Sequence, residues 1–460
     1  MENHRAANPW GRQNTLIAKL LPVIPAVAVA SVMLSSLLAG MPNTVAARIY
    51  GGPPGHDGTI AWRVVASWRD RGSYVPLAQQ QLSIQSHDAL LAVGTTDNEG
   101  AWEARIPLHS LPSATDPLDI TVRCHNGKNS GDVLLQAPIA LYPPAWSTSI
   151  RRLSHRIEGR RTGPLQVDVS LMRGTIAATF PERAVVRVTS NSTPIPGARV
   201  VLTGDGVSFQ PSHTLSTNAQ GRAEVTLVAP LPSSTIEVQA TDASGQSGTF
   251  EGVLPVRAGA FWIDPDRLVQ NTIAVTSPVG HPYAYVTVFD EHARLFGARL
   301  SLTRDAFGGA TATMPLPSRA HSWILAIPDP PGAEIERQSL AWPVITSPDE
   351  PAEATHVSTP MLADGMPAAI AASKERRHAH RLRALLILTA AAMIETGLIG
   401  LRSRNARQQI KQLLASDVEI EISVSRTVVG GFRFWLMMLI ATSLIAVAFG
   451  ILAFVTWWGM

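Results

Sequence analysis

Glu395 is the one carboxylate inside an otherwise uncharged apolar run, residues 384–401, and a carboxyl group placed in lipid is costly unless it finds a polar partner or reaches water. Two readings follow. Glu395 is an intramembrane polar site, as a transport or signalling subunit would use it, or it lies near enough to the membrane face to reach water or Arg402. Two other groups bring acidic oxygens close together: Asp97, Asn98 and Glu99, and Asp264 with Asp266. Calcium takes about six to eight oxygens from a loop of defined spacing. Neither group has the Asp-x-Asp-x-Asp-Gly arrangement, so both predict turns. His281, Asp290, Glu291 and His292 come nearest to an acid–base set, the basis of a third reading as an envelope enzyme, but strand ends and turns account for them. Gly-x-Ser-x-Gly, His-Glu-x-x-His, Gly-x-x-x-x-Gly-Lys-Ser/Thr and Cys-x-x-Cys are all missing from the sequence. We therefore assign no catalytic, cofactor or metal residue and read the chain as non-enzymatic. Cys124, the single cysteine, excludes an intramolecular disulfide and falls in an alternating run that predicts a buried, inert position.

Positive charge gathers in two places. Arg151, Arg152, Arg156, Arg160 and Arg161 crowd a segment bounded by Pro143-Pro144 and Gly163-Pro164. This is expected to be a basic hinge, either a solvated linker paired with acidic neighbours or a contact for an anionic polymer or lipid head group. Lys374, Arg376, Arg377, Arg381 and Arg383, with His378 and His380 among them, precede the run 384–401 and are expected to touch lipid phosphates. The two histidines are two apart, which does not put them on one helix face, so they are not a metal pair.

The elements that hold these residues are of two kinds. Residues 20–41 and 434–458 carry no charge, and a span needs roughly 20 apolar residues. With 384–401 they make two or three transmembrane helices, the number depending on whether 20–41 is a retained anchor or a cleaved signal ending at Val45-Ala46-Ala47. Arg5, Arg12 and Lys19 place the N-terminus in the cytoplasm. Residues 49–370 are then exported and 402–433 is a cytoplasmic loop, although the basic run at 374–383 then lies on the outer face, against the usual bias. The chain as a whole has 38 basic and 35 acidic groups, but residues 49–370 hold 23 against 29, a net of −6. An acidic body with basic flanks is not a nucleic-acid binder.

Between the spans, short β-rich runs alternate with Gly, Pro, Asn and Asp turns, and no pattern of helical period lasts. The run Gly197-Ala198-Arg199-Val200-Val201-Leu202-Thr203 recurs as Gly297-Ala298-Arg299-Leu300-Ser301-Leu302-Thr303. A weaker copy joins the strand 81–84 to the turn Asp97-Asn98-Glu99-Gly100. Pro196-Gly197-Ala198 opening one strand, and Asn218-Ala219-Gln220-Gly221 before Arg222-Ala223-Glu224-Val225-Thr226-Leu227, resemble bacterial Ig-like and carboxypeptidase-regulatory-like modules, with a likeness to macroglobulin-type domains. The resemblance covers the middle module best and none of the membrane part. It implies sandwiches used in adhesion, spacing or binding, without an active site.

The expected fold is mainly β: three tandem antiparallel β-sandwich modules at 49–148, 163–255 and 256–345, with the hinge at 149–162, a Pro-rich stalk and basic segment at 346–383, and the transmembrane helices. The expected function is binding or scaffolding in a bacterial cell envelope, in the inner membrane, with lipid and another envelope protein or polymer as partners. No small-molecule substrate and no cofactor is called for.

Overall fold

Arg222–Val228 shows why this sequence makes strands: Ala223, Val225 and Leu227 are buried while Arg222 and Glu224 face water, a period of two. The turn before it is built by Asn218, whose Oδ1 accepts from the backbone N–H of Gln220 and of Arg222, each at 3.0 Å. Gly221 supplies the left-handed residue, φ 67°. The same device stands before Ala101–Pro107, where Asp97 Oδ1 accepts from Glu99 and Ala101 at 2.9 Å each and Gly100 has φ 74°. The preceding threonines correspond too. Thr96 and Thr217 donate their hydroxyls back to the carbonyls of Leu77 and Ile195.

The computed structural model describes residues 23–32, 44–70, 73–87, 89–111, 117–125, 131–142, 151–306, 308–317, 322–328, 339–345, 352–357 and 359–415. Its contacts form two compact units, one of residues 44–68 and 74–369, the other of residues 1–43, 69–73 and 370–460.

The first unit contains three sandwiches, each with the same seven strands. In the first these are Thr44–Gly51, Thr59–Asp70, Gln81–Ser86, Ala89–Thr95, Ala101–Pro107, Leu118–Cys124 and Val133–Ile139. The first, second and fifth share one sheet; the others form the second in the order fourth, third, sixth, seventh. Gln166–Leu171, Pro181–Ser190, Arg199–Thr203, Thr214–Ser216, Arg222–Val228, Thr235–Thr241 and Ser247–Val253 repeat this order, as do Trp262–Ile263, Thr272–Ser277, Tyr283–Phe289, Arg294–Ser301, Ala310–Pro315, Trp323–Ile327 and Ala341–Pro343. This is the two-sheet, Greek-key arrangement of Ig-like domains, with the fourth strand on the sheet of the third. Each sandwich closes over its own apolar core, around Trp62 and Ile84, Phe250 and Val186, and Trp342 and Val286 respectively. Cys124 is buried in the first core.

The segments that composition marks as hinge and stalk carry strands of their own. Arg151–Arg152 pairs with Thr355–His356, and the two together extend a sheet of the third sandwich. Gly159–Thr162 pairs with Ser247–Val253 and extends the second. Met361–Asp364 returns to the first, pairing antiparallel with Thr44–Gly51, with Arg48 opposite Asp364. The linkers sew the modules together, because an unpaired edge strand offers N–H and C=O groups that any nearby extended segment satisfies.

Met361–Asp364 leads directly into a 50-residue helix, Met366–Ala415, roughly 75 Å long at 1.5 Å per residue. Its start is fixed: Asp364 Oδ1 accepts from Met366 N–H at 2.8 Å, Gly365 N–H donates to Ala47 O at 2.9 Å, and Pro367 occupies the first turn, where its missing N–H costs nothing. Among the described residues one helix, within 366–408, is long and apolar enough to cross a membrane. It includes the expected span 384–401, but it begins well before the apolar run and continues past it. Two or three such helices were expected. Of the run 20–41, residues Val23–Val32 form a short apolar helix. The expected span 434–458 lies outside the described residues, as do residues 416–433 of the expected cytoplasmic loop.

Candidate functional site

The second strand reads Ala61-Trp62-Arg63-Val64-Val65-Ala66, in which Trp62 and Val64 fill the core and Arg63 lies on the face that alternation would give to water. Arg63 is nevertheless 1% exposed, because the third sandwich covers that face. Its guanidinium donates to Glu103 Oε1 and to Thr287 Oγ1, the latter at 3.2 Å. Arg294 meets the same carboxylate from the other side, Nη2 to Oε2 at 2.8 Å, and donates through Nη1 to Ala61 O at 3.2 Å. Burial alone would raise the Glu103 carboxyl, but the charges of Arg294 and Arg63 outweigh it and hold it below the ordinary glutamate value.

A few residues along the same face, the turn at Asp97 takes part. Tyr285 donates its hydroxyl to Asp97 Oδ2 at 2.6 Å, Tyr283 donates to Glu99 Oε1 at 2.7 Å, and Arg299 lies 3.5 Å from Asp97 Oδ2 with its guanidinium 4.1 Å over the Tyr283 ring. Burial first and the Asp97 carboxylate second push the Tyr285 hydroxyl well above the ordinary tyrosine range, so it stays a donor. Ala101, Tyr285, Phe289, Trp323, Leu325 and Val357 form the apolar cluster around these groups. The expected turn at Asp97 and Glu99 is therefore also a clasp between the first and third sandwiches.

The second and third sandwiches are joined by a different buried pair. Arg173 donates from Nε to Glu182 Oε2 at 2.9 Å and from Nη1 to Ile263 O at 2.8 Å, and its guanidinium lies 4.2 Å over the Trp342 ring. Phe180 stacks on Trp262 at 5.3 Å beside it. Here burial wins: the Glu182 carboxyl is raised in spite of Arg173 and the weaker pull of Arg183, since the pair is almost wholly dry. Both joints are buried guanidinium–carboxylate contacts that hold one sandwich against the next.

The hinge arginines are largely matched by acid. Arg156 and Arg161 both reach Asp168 Oδ1, at 2.5 and 3.0 Å, Arg161 also lies 5.7 Å from the Phe250 ring, and Arg160 stands opposite Glu251 in the sheet. Arg151 and Arg152 form the short strand against Thr355–His356. Lys374, Arg376, Arg377, Arg381 and Arg383 all lie on the long helix, where Arg376 and Arg377 donate back to the carbonyls of Ala372 and Ser373 at 3.4 Å. Glu395 sits half-buried on the same helix, two turns before Arg402. Of the expected acid–base residues, Asp290 caps its own hairpin turn and lies 3.5 Å from His56, whereas His281 packs on Phe261. Asp264 caps the five-residue helix Pro265–Val269. Among the described residues no group of three or more His, Cys, Asp or Glu side chains is placed to hold a metal ion.

The clasp residues Arg63, Glu103, Arg294, Arg173 and Glu182 are absent from the sequence-based expectations. Arg63 did leave a signal, a charge flanked on its own face of the strand by the apolar Ala61 and Val65. That pattern marks a sheet covered on both faces.

No protein-family model matches the chain, and no curated protein matches it in sequence. Among solved structures it is similar to the Yersinia pseudotuberculosis adhesin InvE, at 15% identity over 47% of this chain and 61% of that one, TM-score 0.17. It is similar to the D0-D1 domain of intimin at 16% identity over 45% and 97%, TM-score 0.15, and to a Salmonella alpha-2-macroglobulin at 13% over 66% and 24%, TM-score 0.16. The chain thus spans about three fifths of the adhesin's length. At these TM-scores the likenesses add nothing to what the strand order itself gives.

Proposed function

We propose that the chain is a membrane-anchored, non-enzymatic Ig-like protein whose three sandwiches form one extracytoplasmic body for binding or scaffolding in a bacterial cell envelope, at the inner membrane. The observation that carries this reading is the pairing of Thr44–Gly51 with Met361–Asp364. The strand that follows the apolar run 20–41 and the strand that precedes the long apolar helix are neighbours, roughly 5 Å apart, so the chain enters and leaves the sandwich body on adjacent strands. The charges support the same reading. Arg383 and Arg402 bracket an apolar stretch of about 27 Å, close to the ~30 Å of a hydrocarbon core. Lys374, Arg376, Arg377, Arg381 and Arg383 then lie at the lipid phosphates, and the partner of the body is another envelope protein or polymer.

The test is protease accessibility in intact and lysed cells, with tags after Met1 and Met460 and an antibody to the second sandwich. Cleavage of the body from outside supports the reading. Protection until the inner membrane is broken removes it.

A second reading is favoured by the helix itself, which runs unbroken from Met366 past Glu395 and Arg402 to Ala415. In that reading the chain is a membrane subunit of a transport or signalling complex and Glu395 with the 402–433 loop is functional. Glu395→Gln leaves envelope binding intact in the first case and abolishes function in the second.

A further inference from the structure

The sheet face that docks in the first sandwich is open in the second. Equivalent positions are fixed by the turns: Asp97, Asn218 and Asp305 each accept through Oδ1 from the backbone N–H four residues on, that of Ala101, Arg222 and Gly309. In the first sandwich Ala101 stands opposite Val65, and both lie in the apolar cluster with Tyr285 and Phe289 of the third. At the same place in the second sandwich Arg222 stands opposite Arg187, and both are exposed. Like charges directly opposite one another on neighbouring strands destabilise a sheet. The nearby acids do not relieve them. Asp168, which register places opposite Arg187 on its other side, gives its Oδ1 to Arg156 and Arg161, and Glu224 is held by Arg183 at 2.9 Å. These five arginines and two acids leave a surplus of three positive charges, in a body whose net charge is −6.

We propose that the outer face of the sheet of Gln166–Leu171, Pro181–Ser190 and Arg222–Val228 binds a linear anionic polysaccharide, with Arg187 and Arg222 on its acidic groups. It rests on the reading of the body as an envelope-binding module and names the class of its partner. Charge sets the sign of the ligand. Register puts Asp168, Arg187 and Arg222 in one row across three strands, so the two free guanidiniums stand about 5 Å apart at their backbones and fork onto carboxylate or ester oxygens of one chain. Around them the outward residues are Gln166, Ser170, Val185, Glu224 and Thr226, of which Val185 alone is apolar. A protein partner needs an apolar centre, such as Val65 and Ala101 give the first sandwich, and single-stranded nucleic acid needs aromatic rings to stack on. The amide and hydroxyls of Gln166, Ser170 and Thr226 fit sugar hydroxyls instead.

Affinity of the full chain in detergent for immobilised polygalacturonate, with neutral dextran as the blank, tests this. Binding to polygalacturonate that weakens as salt rises is expected, and none to dextran. Arg187→Gln with Arg222→Gln is expected to lower the affinity by at least about tenfold, the scale of two charge-assisted contacts, and Arg187→Lys with Arg222→Lys by less. Asp168→Asn removes the carboxylate from the row and is expected to raise the affinity severalfold. Arg199→Gln with Arg257→Gln, which takes the same charge from exposed positions elsewhere on the body, is expected to leave it unchanged. Equal losses in the two glutamine pairs, no gain in Asp168→Asn, no binding to polygalacturonate, or a fall in flotation with phosphatidylglycerol vesicles in place of a fall in polymer affinity overturns the inference alone. Protection of the body from protease until the inner membrane is broken overturns the envelope reading on which it rests.

Discussion

Asp97 and Asn218 occupy the same position in two sandwiches, and they differ in the one oxygen that matters. Each uses Oδ1 to build its turn, but Asp97 has a second carboxylate oxygen that accepts from Tyr285 at 2.6 Å and faces Arg299, whereas Asn218 stands in an exposed turn. One repeat position thus carries a turn in both modules and a docking contact in only one.

Asp97→Asn keeps the turn and turns an amide N–H₂ toward the Tyr285 hydroxyl and the Arg299 guanidinium. We expect a loss of about 1–3 kcal/mol, the cost of a buried polar group left without its partner. Asn218→Asp should stay within about 0.5 kcal/mol of the parent. Urea unfolding of the full chain in detergent, followed by tryptophan fluorescence, separates the two. Equal effects would mean that the Tyr285 contact contributes nothing.

The clasp around Glu103 gives stability a pH dependence of known sign. The folded carboxyl lies below its ordinary 4.5, so its contribution is present above that pH and lost as the pH falls through the depressed folded value. Glu103→Gln should remove that acid limb from a plot of unfolding midpoint against pH and lower stability at pH 7. A wild-type curve with no acid limb assignable to Glu103 refutes the assignment.

Glu182 has the opposite sign. Its folded carboxyl is raised above 4.5, so the stabilisation that protonation brings is full below that value and is lost as the pH rises through the folded one. Arg173→Ala, which strands the buried carboxylate at neutral pH, is expected to cost about 3–5 kcal/mol, while Arg173→Met with Glu182→Leu is expected to be close to neutral. Calorimetry on both variants decides it.

Arg156 and Arg161 spend their charge on Asp168 and Arg160 stands opposite Glu251, so neutralising these three together is expected to change flotation with anionic vesicles by less than about twofold. Removing the charge of Lys374, Arg376, Arg377, Arg381 and Arg383 is expected to lower it by at least about tenfold, at ~1 kcal/mol per basic residue near an anionic surface. The reverse ranking would return the anion contact to the hinge.

The sandwiches were legible because their causes are local. Alternation in Arg222–Val228 and the turn at Asn218 can be read from a few residues. The weaker of the two repeat matches turned out to be the structural one, since Gln81–Ser86 and Arg199–Thr203 are both third strands. The stronger match, at Gly297, misleads. It falls in Arg294–Ser301, a fourth strand that hairpins onto Tyr283–Phe289 because Asp290 caps a tight turn between them. The linker strands and the clasps were not legible, because pairing Arg152 with Thr355, or Glu103 with Arg294, depends on residues about 200 apart in the chain and leaves little local trace.

The pairing of Arg48 with Asp364 joins residues 316 positions apart, and that fixes an order of events in biogenesis. At about 5–20 residues per second, roughly a quarter of a minute to a minute separates the emergence of the two strands. Throughout that interval Thr44–Gly51 stands as an open edge, the geometry most prone to pairing with a neighbouring nascent chain. The first sandwich is therefore the first to begin folding and the last to be finished, and the segment that completes it is the one that immediately precedes the long apolar helix. A chain interrupted before residue 361 lacks the strand that pairs with Thr44–Gly51.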